Sequence, residues 1–149
     1  MEHMQEHMQK IVLRFNTGKI LKGYIRDFTA YTDIVVVQDA VTDEQHKIPL
    51  VELKAIFFVK TFEGNSLHRD KKMYGISENV GRKVYIRFND GESMMGFLEG
   101  DIPWEKGFHL SKKPAGALKG FLLVPVDVDS NNKKVFVVNS SIKDITLLP

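Results

Sequence analysis

The aromatic and cationic side chains in the second half of the chain are its most plausible ligand-binding residues. Trp104 stands in the segment DIPWEKGF, and Lys112, Lys113, Lys133 and Lys134 follow it. An indole ring stacks on bases and ammonium groups neutralise phosphates, so this combination is typical of a nucleic-acid interface. The simpler interpretation, which we favour, is that the lysines belong to a solvated loop and that Trp104 caps the end of a barrel or fills an interface between two units of the chain.

The sequence contains no arrangement of residues that would support catalysis or bind a metal. The five histidines are His3, His7, His46, His68 and His109, and no Ser or carboxylate stands at a supporting spacing. His3 and His7 lie four residues apart, but a third ligand is missing, and the absence of Cys removes any Cys-based zinc site. Residues 127–132 resemble a calcium loop in composition only, because the central Gly and terminal Glu are absent. We therefore expect a non-enzymatic protein without a metal or cofactor.

Composition and charge are those of an ordinary globular protein. The chain has 21 basic and 19 acidic residues, interspersed, and is 43% hydrophobic. This composition argues against wholesale disorder, and a net charge of +2 does not by itself imply a polyanionic partner. The longest apolar runs, such as residues 34–37 and 55–59, are too short to span a bilayer, and no signal-like segment precedes them. We expect a cytoplasmic protein with no membrane contact.

Two stretches of the chain are nearly the same. Residues 10–25 read KIVLRFNTGKILKGYI, and residues 83–98 read KVYIRFNDGESMMGFL, so that Lys, Arg, Phe, Asn and two Gly recur at equal spacing. Such self-similarity indicates an internal duplication. It predicts a first unit over residues 10–63, a linker over 64–81 and a second unit over 82–149, with an inserted loop near 111–134.

The period of the apolar residues indicates strands. Ile11, Leu13 and Phe15 alternate with other residues, and Asn16 to Gly18 supply a tight turn. Further strands are predicted over residues 19–28, 34–38, 46–50 and 53–61, and in the second unit over 83–89, 92–99 and 107–110. The sequence therefore predicts an all-β protein of two tandem small antiparallel β-barrels.

The spacing of the glycines resembles that of a known family. Gly18 and Gly23 lie five residues apart in the first unit, and Gly91 and Gly96 repeat this spacing in the second. With the alternating strand before them, they resemble the first motif of Sm-like proteins, including the bacterial Hfq type, and of SH3-like barrels. The resemblance implies small, strongly bent barrels in which the first Gly permits a turn and the second permits a sharp bend.

The same resemblance suggests positions for RNA binding. Sm-like proteins that bind RNA carry an Asp and Asn pair after the second strand and an Arg-Gly or Lys-His element between the fourth and fifth. Here the corresponding segments read TAYTD and HKIPLVEL, so Tyr31, Asp33, His46 and Lys47 match this pattern in part. As a whole, the chain resembles bacterial proteins of an uncharacterised family, which implies no activity.

Two functions remain open from the sequence. The first is a protein-interaction or assembly scaffold, in which edge strands and the long loop contact a protein partner or another copy of the chain. The second is single-stranded RNA binding. Its residues would be Tyr31, His46, Lys47, Trp104, Lys112, Lys113, Lys133 and Lys134. The affinity for RNA would fall steeply as salt rises, whereas an apolar edge contact would change little.

Overall fold

The computed structural model describes residues 8–26, 28, 32–62, 82–99, 119–126 and 131–148. These residues form β1 (Gln9–Phe15), β2 (Ile20–Ile25), β3 (Ile34–Asp39), β4 (Gln45–Pro49), β5 (Leu53–Val59), β6 (Lys83–Phe88), β7 (Ser93–Leu98), β8 (Gly120–Pro125), β9 (Asn132–Val138) and β10 (Ile142–Leu147). Short 3-10 turns, Leu50–Glu52 and Asn139–Ser141, precede β5 and β10. The predicted all-β class is confirmed.

All ten strands belong to one antiparallel sheet. Its order is β10-β6-β7-β8-β9-β5-β1-β2-β3-β4, so within the described residues β10 and β4 each have one neighbour and the sheet does not close. The finer prediction of two tandem barrels is not confirmed, because β5 pairs with β9 and joins the two halves into a single sheet. The likeness to Sm-like proteins is supported only as far as the all-β class.

The turns of the two similar stretches have the same geometry. Gly18 has a φ of 97° and Gly91 a φ of 92°, values that L residues with a side chain rarely adopt. The Gly18 N–H donates to the Phe15 carbonyl at 2.9 Å, and the Gly91 N–H donates to the Phe88 carbonyl at 3.0 Å. Each glycine therefore closes the turn that follows its strand.

The asparagines of these stretches hold the 3-10 turns. The Asn16 side-chain amide donates to the Val51 carbonyl at 3.1 Å, and the Asn89 amide donates to the Ser140 carbonyl, also at 3.1 Å. The first hairpin of each half is thereby fixed to the turn that starts its last strand. The recurring Asn has a structural role, which explains its presence at both places.

Two hydrophobic cores lie on opposite faces of the β5 and β9 pair. The first core contains Ile56 and Phe58 of β5 with Phe136 of β9, whereas the second contains Ala55 of β5 with Val137 of β9. Successive side chains of a strand point to opposite faces, so each of these strands supplies both cores. Strands that are buried on both faces need apolar residues at nearly every position, and in LKAIFFV of β5 the one exception is Lys54.

Some predicted features fall elsewhere than expected. The segment 111–134, predicted as an inserted loop, contains β8 and the first three residues of β9. The linker 64–81 and the strand predicted over residues 107–110 lie outside the described residues.

Candidate functional site

The outer edge of β4 presents unpaired backbone groups. The Leu50 N–H donates to the Asp33 carbonyl at 2.8 Å, next to the facing residues Ile34 and Pro49. Because bonded and non-bonded positions alternate along an antiparallel pair, Gln45 and Lys47 direct their backbone N–H and C=O groups away from β3. Among the described residues, no strand pairs with β4 on that side. Within this part of the chain, Gln45 and Lys47 therefore each present a free backbone donor and acceptor at the edge.

Apolar side chains are exposed beside this edge. Ile34 is 50% exposed and Val36 is 42% exposed, and they face Pro49 and Lys47 across the strand pair. Facing residues project from the same side of a sheet, so these four side chains form one surface, here called the outer face. Large aliphatic side chains that are this exposed and adjacent are candidates for a contact with another molecule.

The corresponding surface of the second half is buried. On β8 and β9, Leu122 faces Phe136 and Gly120 faces Val138. Phe136 and Val138 belong to the first core, and Leu122 packs against that core. The side of the β8 and β9 hairpin that corresponds to the outer face thus docks on the first half of the chain. The outer face of β3 and β4 has no such cover among the described residues.

The His46 side chain lies on the face of β4 opposite to the outer face. Its Nε2 atom lies 3.2 Å from a carboxylate oxygen of Asp39. The pKa of Asp39 is lowered, first by the backbone N–H of Val41, then by that of Thr42 and by His46. These contacts fix the imidazole against the turn between β3 and β4 and leave Lys47 as the exposed cation in the middle of the edge.

The cationic residues predicted from the sequence to bind a ligand lie at separate places in the sheet. His46 and Lys47 are on β4, whereas Lys133 and Lys134 are on β9, and β5, β1, β2 and β3 lie between these strands. The Lys134 ammonium group lies 5.2 Å from the centre of the Phe58 ring, and Lys133 is exposed. The remaining candidates, Tyr31, Trp104, Lys112 and Lys113, lie outside the described residues.

The sequence interpretation missed a charged cluster between the halves, in which only the lysine is buried. Lys54 of β5 is 3% exposed, and its ammonium group donates to Asp90 at 2.8 Å and also to Glu92. It lies 4.6 Å from the centre of the Phe88 ring. The hydrogen bond from Lys54 is the main cause that lowers the pKa of both Asp90 and Glu92. A lone Lys within the apolar run of β5 was the available signal.

This cluster is better suited to structure than to ligand binding. It borders an open groove that is lined by Asn16, Lys54, Phe88, Asn89, Asp90, Ser140 and Ser141. The Lys54 amine is engaged by two carboxylates, and both Asn amides donate to backbone carbonyls. The groove therefore offers few free polar groups, and we do not place a site there.

Two classes of site find no support in the described part of the chain. No group of three or more His, Cys, Asp or Glu side chains there is placed to hold a metal ion. In the same residues, no helix has the length and apolar character needed to cross a membrane.

Comparison with known sequences gives one match. Residues 7–149 match the profile of a protein family whose description is family of unknown function (DUF6982). No curated protein and no solved structure matches the chain.

Proposed function

The chain belongs to DUF6982, a family of unknown function. From the geometry of the described residues, we propose that it is a non-enzymatic protein-binding module. Its site would be the edge of β4 with the outer face beside it. The observation that carries this proposal is the unpaired backbone of Gln45 and Lys47 next to the exposed side chains of Ile34 and Val36.

The backbone groups of the edge supply affinity without requiring a particular sequence. An extended segment that pairs with β4 would form two hydrogen bonds with Lys47 and two with Gln45, as in strand addition to other open sheets. Pro49 has no N–H, but its position at the end of β4 costs the edge only one donor. The edge therefore accommodates an antiparallel strand that forms its hydrogen bonds with Gln45 and Lys47.

The outer face adds apolar surface beside the edge. Ile34 and Val36 lie on β3, one strand inward from the free edge, so a strand that pairs with β4 would cover only the parts of them that border Lys47 and Pro49, where each Å² of buried apolar surface contributes about 25 cal/mol. The chain itself contains a precedent for strand addition at this position. There, β5 pairs with the edge of β9, and the face of β8 and β9 that corresponds to the outer face is buried against the first core.

The opposite edge, β10, is a weaker candidate. None of the exposed large apolar side chains of the described residues lies on β10. Asp144 of β10 forms an ion pair with Arg87 at 2.9 Å, so its charge is already compensated within the sheet. A partner at β10 would gain little apolar burial.

We also propose, as an account of the architecture, that the chain consists of two tandem barrel-like units that arose by internal duplication. The same strand order in the two halves supports this, as β5-β1-β2-β3-β4 corresponds to β10-β6-β7-β8-β9. Ile11 faces Phe58 where Val84 faces Leu147, and both pairings shift by one residue near the start of the last strand.

Selection of peptides from a random display library on the purified protein tests the proposed function. The selected peptides should bind the wild type and Lys47→Thr, and they should lose binding to Lys47→Pro, which lacks the outward N–H. Both variants lose the charge, so their difference isolates the backbone donor. Thermal unfolding of both variants checks that the fold is retained.

Other outcomes would reject the proposal. Peptides that bind Lys47→Pro as tightly as Lys47→Thr would place the binding site elsewhere. Binding of labelled single-stranded RNA that weakens steeply with salt and is lost in Lys133→Ala with Lys134→Ala would support the RNA hypothesis instead. If Lys47→Pro does not fold, N-methylation of the peptide tests the same backbone pairing on the wild-type protein by removing the peptide's donor instead.

A further inference from the structure

We infer that the edge of β4 selects an extended segment of a different protein in which acidic and apolar residues alternate, with an acidic residue opposite Lys47. This inference rests on the proposed function and adds the chemistry of the partner. It follows from the hydrogen-bonding pattern of β4, from the charge of Lys47 and from the poor fit between β4 and the other edge strand of the chain, β10.

The register decides which residues of the partner face Lys47. Lys47 directs its backbone groups outward, so the partner residue opposite it exchanges both hydrogen bonds with it. The side chain of that partner residue then lies beside the Lys47 side chain on the outer face. Lys47 is exposed, and no carboxylate of the described residues forms an ion pair with it. An acidic residue opposite Lys47 would complement this charge.

The alternate residues of the partner face the first core. Ile48 is 7% exposed and belongs to that core, so the side chain opposite it would extend the core at its open end. Apolar residues fit this position, because a charge placed there would lose hydration without gaining a partner. The preferred segment therefore has an apolar residue opposite Ile48 and an acidic residue opposite Lys47.

The junction inside the chain differs from this site at one decisive position. Ile56 of β5 faces Phe136 of β9, and both are fully buried. In the β3 and β4 hairpin, the place that corresponds to Phe136 is occupied by Lys47. A strand that is apolar on both faces, like β5, fits β9, whereas β4 favours a strand with one acidic face.

The chain's own β10 does not meet these requirements. The Leu148 N–H donates to the Lys83 carbonyl at 2.9 Å, which means that Ile145 and Leu147 are the residues that direct backbone groups outward. Pairing of β10 with β4 of a second copy would thus place an apolar residue opposite Lys47. In the register of β5 on β9, Asp144 would face Ile48. A shift by one residue would restore the charges but lose the hydrogen bonds.

Labelled synthetic octapeptides and fluorescence anisotropy test the inference. One peptide alternates Val and Glu, and a second alternates Val and Lys. The wild type should bind the Val/Glu peptide more tightly, and Lys47→Glu should bind it about fivefold more weakly while it gains affinity for the Val/Lys peptide. Lys143→Glu, on the opposite edge, is the matched control and should leave both affinities unchanged.

N-methylation of the peptide tests the register. In the inferred pairing, the Glu N–H groups bond to β4 and the Val N–H groups point away. N-methylation at Glu should abolish binding, whereas N-methylation at Val should leave it within about twofold of the unmodified peptide, since no hydrogen bond to β4 is removed. Because the protein is unchanged, this comparison does not depend on a variant that folds.

The outcomes separate the inference from the proposed function. Equal affinity of the wild type for the Val/Glu and Val/Lys peptides, with the N-methylation pattern retained, would overturn the acidic preference and leave strand addition intact. Equal binding of the Glu-methylated and unmodified peptides would overturn both. Protection of the Gln45 and Lys47 amides by raised protein concentration alone would identify a second copy as the partner and contradict the inference.

Discussion

The ammonium group of Lys54 lies 2.8 Å from a carboxylate oxygen of Asp90 and ties β5 to the turn between β6 and β7. Only the cation of this pair is buried, since the Lys54 side chain is 4% exposed and that of Asp90 is 43% exposed. Like the pairing of β5 with β9, this contact joins the first half of the sheet to the second. It therefore holds the two halves together at a second place beside the buried strand pair.

The burial of one partner alone predicts an unequal response to substitution. In Asp90→Asn with Glu92→Gln, the charge of Lys54 remains buried and loses its compensation, which costs about 3 kcal/mol. Lys54→Met removes the buried charge and leaves exposed carboxylates, so its effect should stay within about 1 kcal/mol. Urea unfolding of both variants measures the difference. A larger loss in Lys54→Met would show that the buried cation is not the costly group.

The same cluster predicts a dependence of stability on pH. The hydrogen bond from Lys54 lowers the pKa of Asp90 and of Glu92 in the folded protein. A carboxyl whose folded pKa lies below its unfolded value stabilises the fold above the unfolded pKa, about 4, and this contribution is lost as the pH falls further.

Unfolding of wild type and Lys54→Met between pH 7 and pH 3 measures this dependence. The wild type should lose more stability over this interval than Lys54→Met, in which the pKa values of Asp90 and Glu92 return toward their ordinary range. Asp39 and Asp144 also have lowered pKa values, and their contributions should be common to both proteins. Parallel pH profiles would contradict the assignment to Lys54.

The two glycines of the first hairpin predict different costs for the same substitution. A Cβ on Gly23 would lie 2.4 Å from the Gln38 carbonyl oxygen and 2.7 Å from a methyl carbon of Val37, so Gly23→Ala should cost about 3 kcal/mol. Gly18 has a φ of 97° but no atom within 4 Å of such a Cβ, and Gly18→Ala should cost about 1 kcal/mol. Thermal unfolding of the two variants gives the order, and equal losses would contradict it.

The mismatch between β4 and β10 predicts that self-association can be created. In the internal junction of β9 with β5, Phe136 stands at the position that corresponds to Lys47, and Ala55 stands at the position that corresponds to Asp144. Lys47→Phe and Asp144→Ala therefore give the two free edges the residues of the internal junction. The double variant should associate as its concentration rises in sedimentation velocity, whereas Lys47→Phe with Lys143→Ala should not. A wild type that associates to the same extent as the double variant would show that the charges do not prevent this pairing.

The local elements were predictable from the sequence, because they depend on the period of apolar residues and on glycine turns. The strands predicted over residues 34–38, 46–50 and 53–61 correspond to β3, β4 and β5. The pairing of β5 with β9 was not predicted, because contacts between residues far apart in the chain leave no local pattern. A run such as LKAIFFV indicates burial on both faces without naming the strand that covers it.

The candidate site was predicted only in part. His46 and Lys47 were selected for a resemblance to RNA-binding positions, and the structure places them on a free edge strand. Ile34 and Val36 were missed, because the run IVVV has the composition of a strand buried on both faces. Their exposure arises because no described residue covers the outer face, whereas the corresponding face of β8 and β9 packs on the first core, and this difference is a property of the topology.

Amide hydrogen exchange along β4 tests the central claim most directly. On addition of the Val/Glu peptide, the amides of Gln45 and Lys47 should become protected, while those of His46 and Ile48, which face β3, should change little. This alternation arises only when a strand pairs with the outer edge. Unchanged exchange at Gln45 and Lys47 under saturating peptide, or protection confined to other strands, would contradict the account.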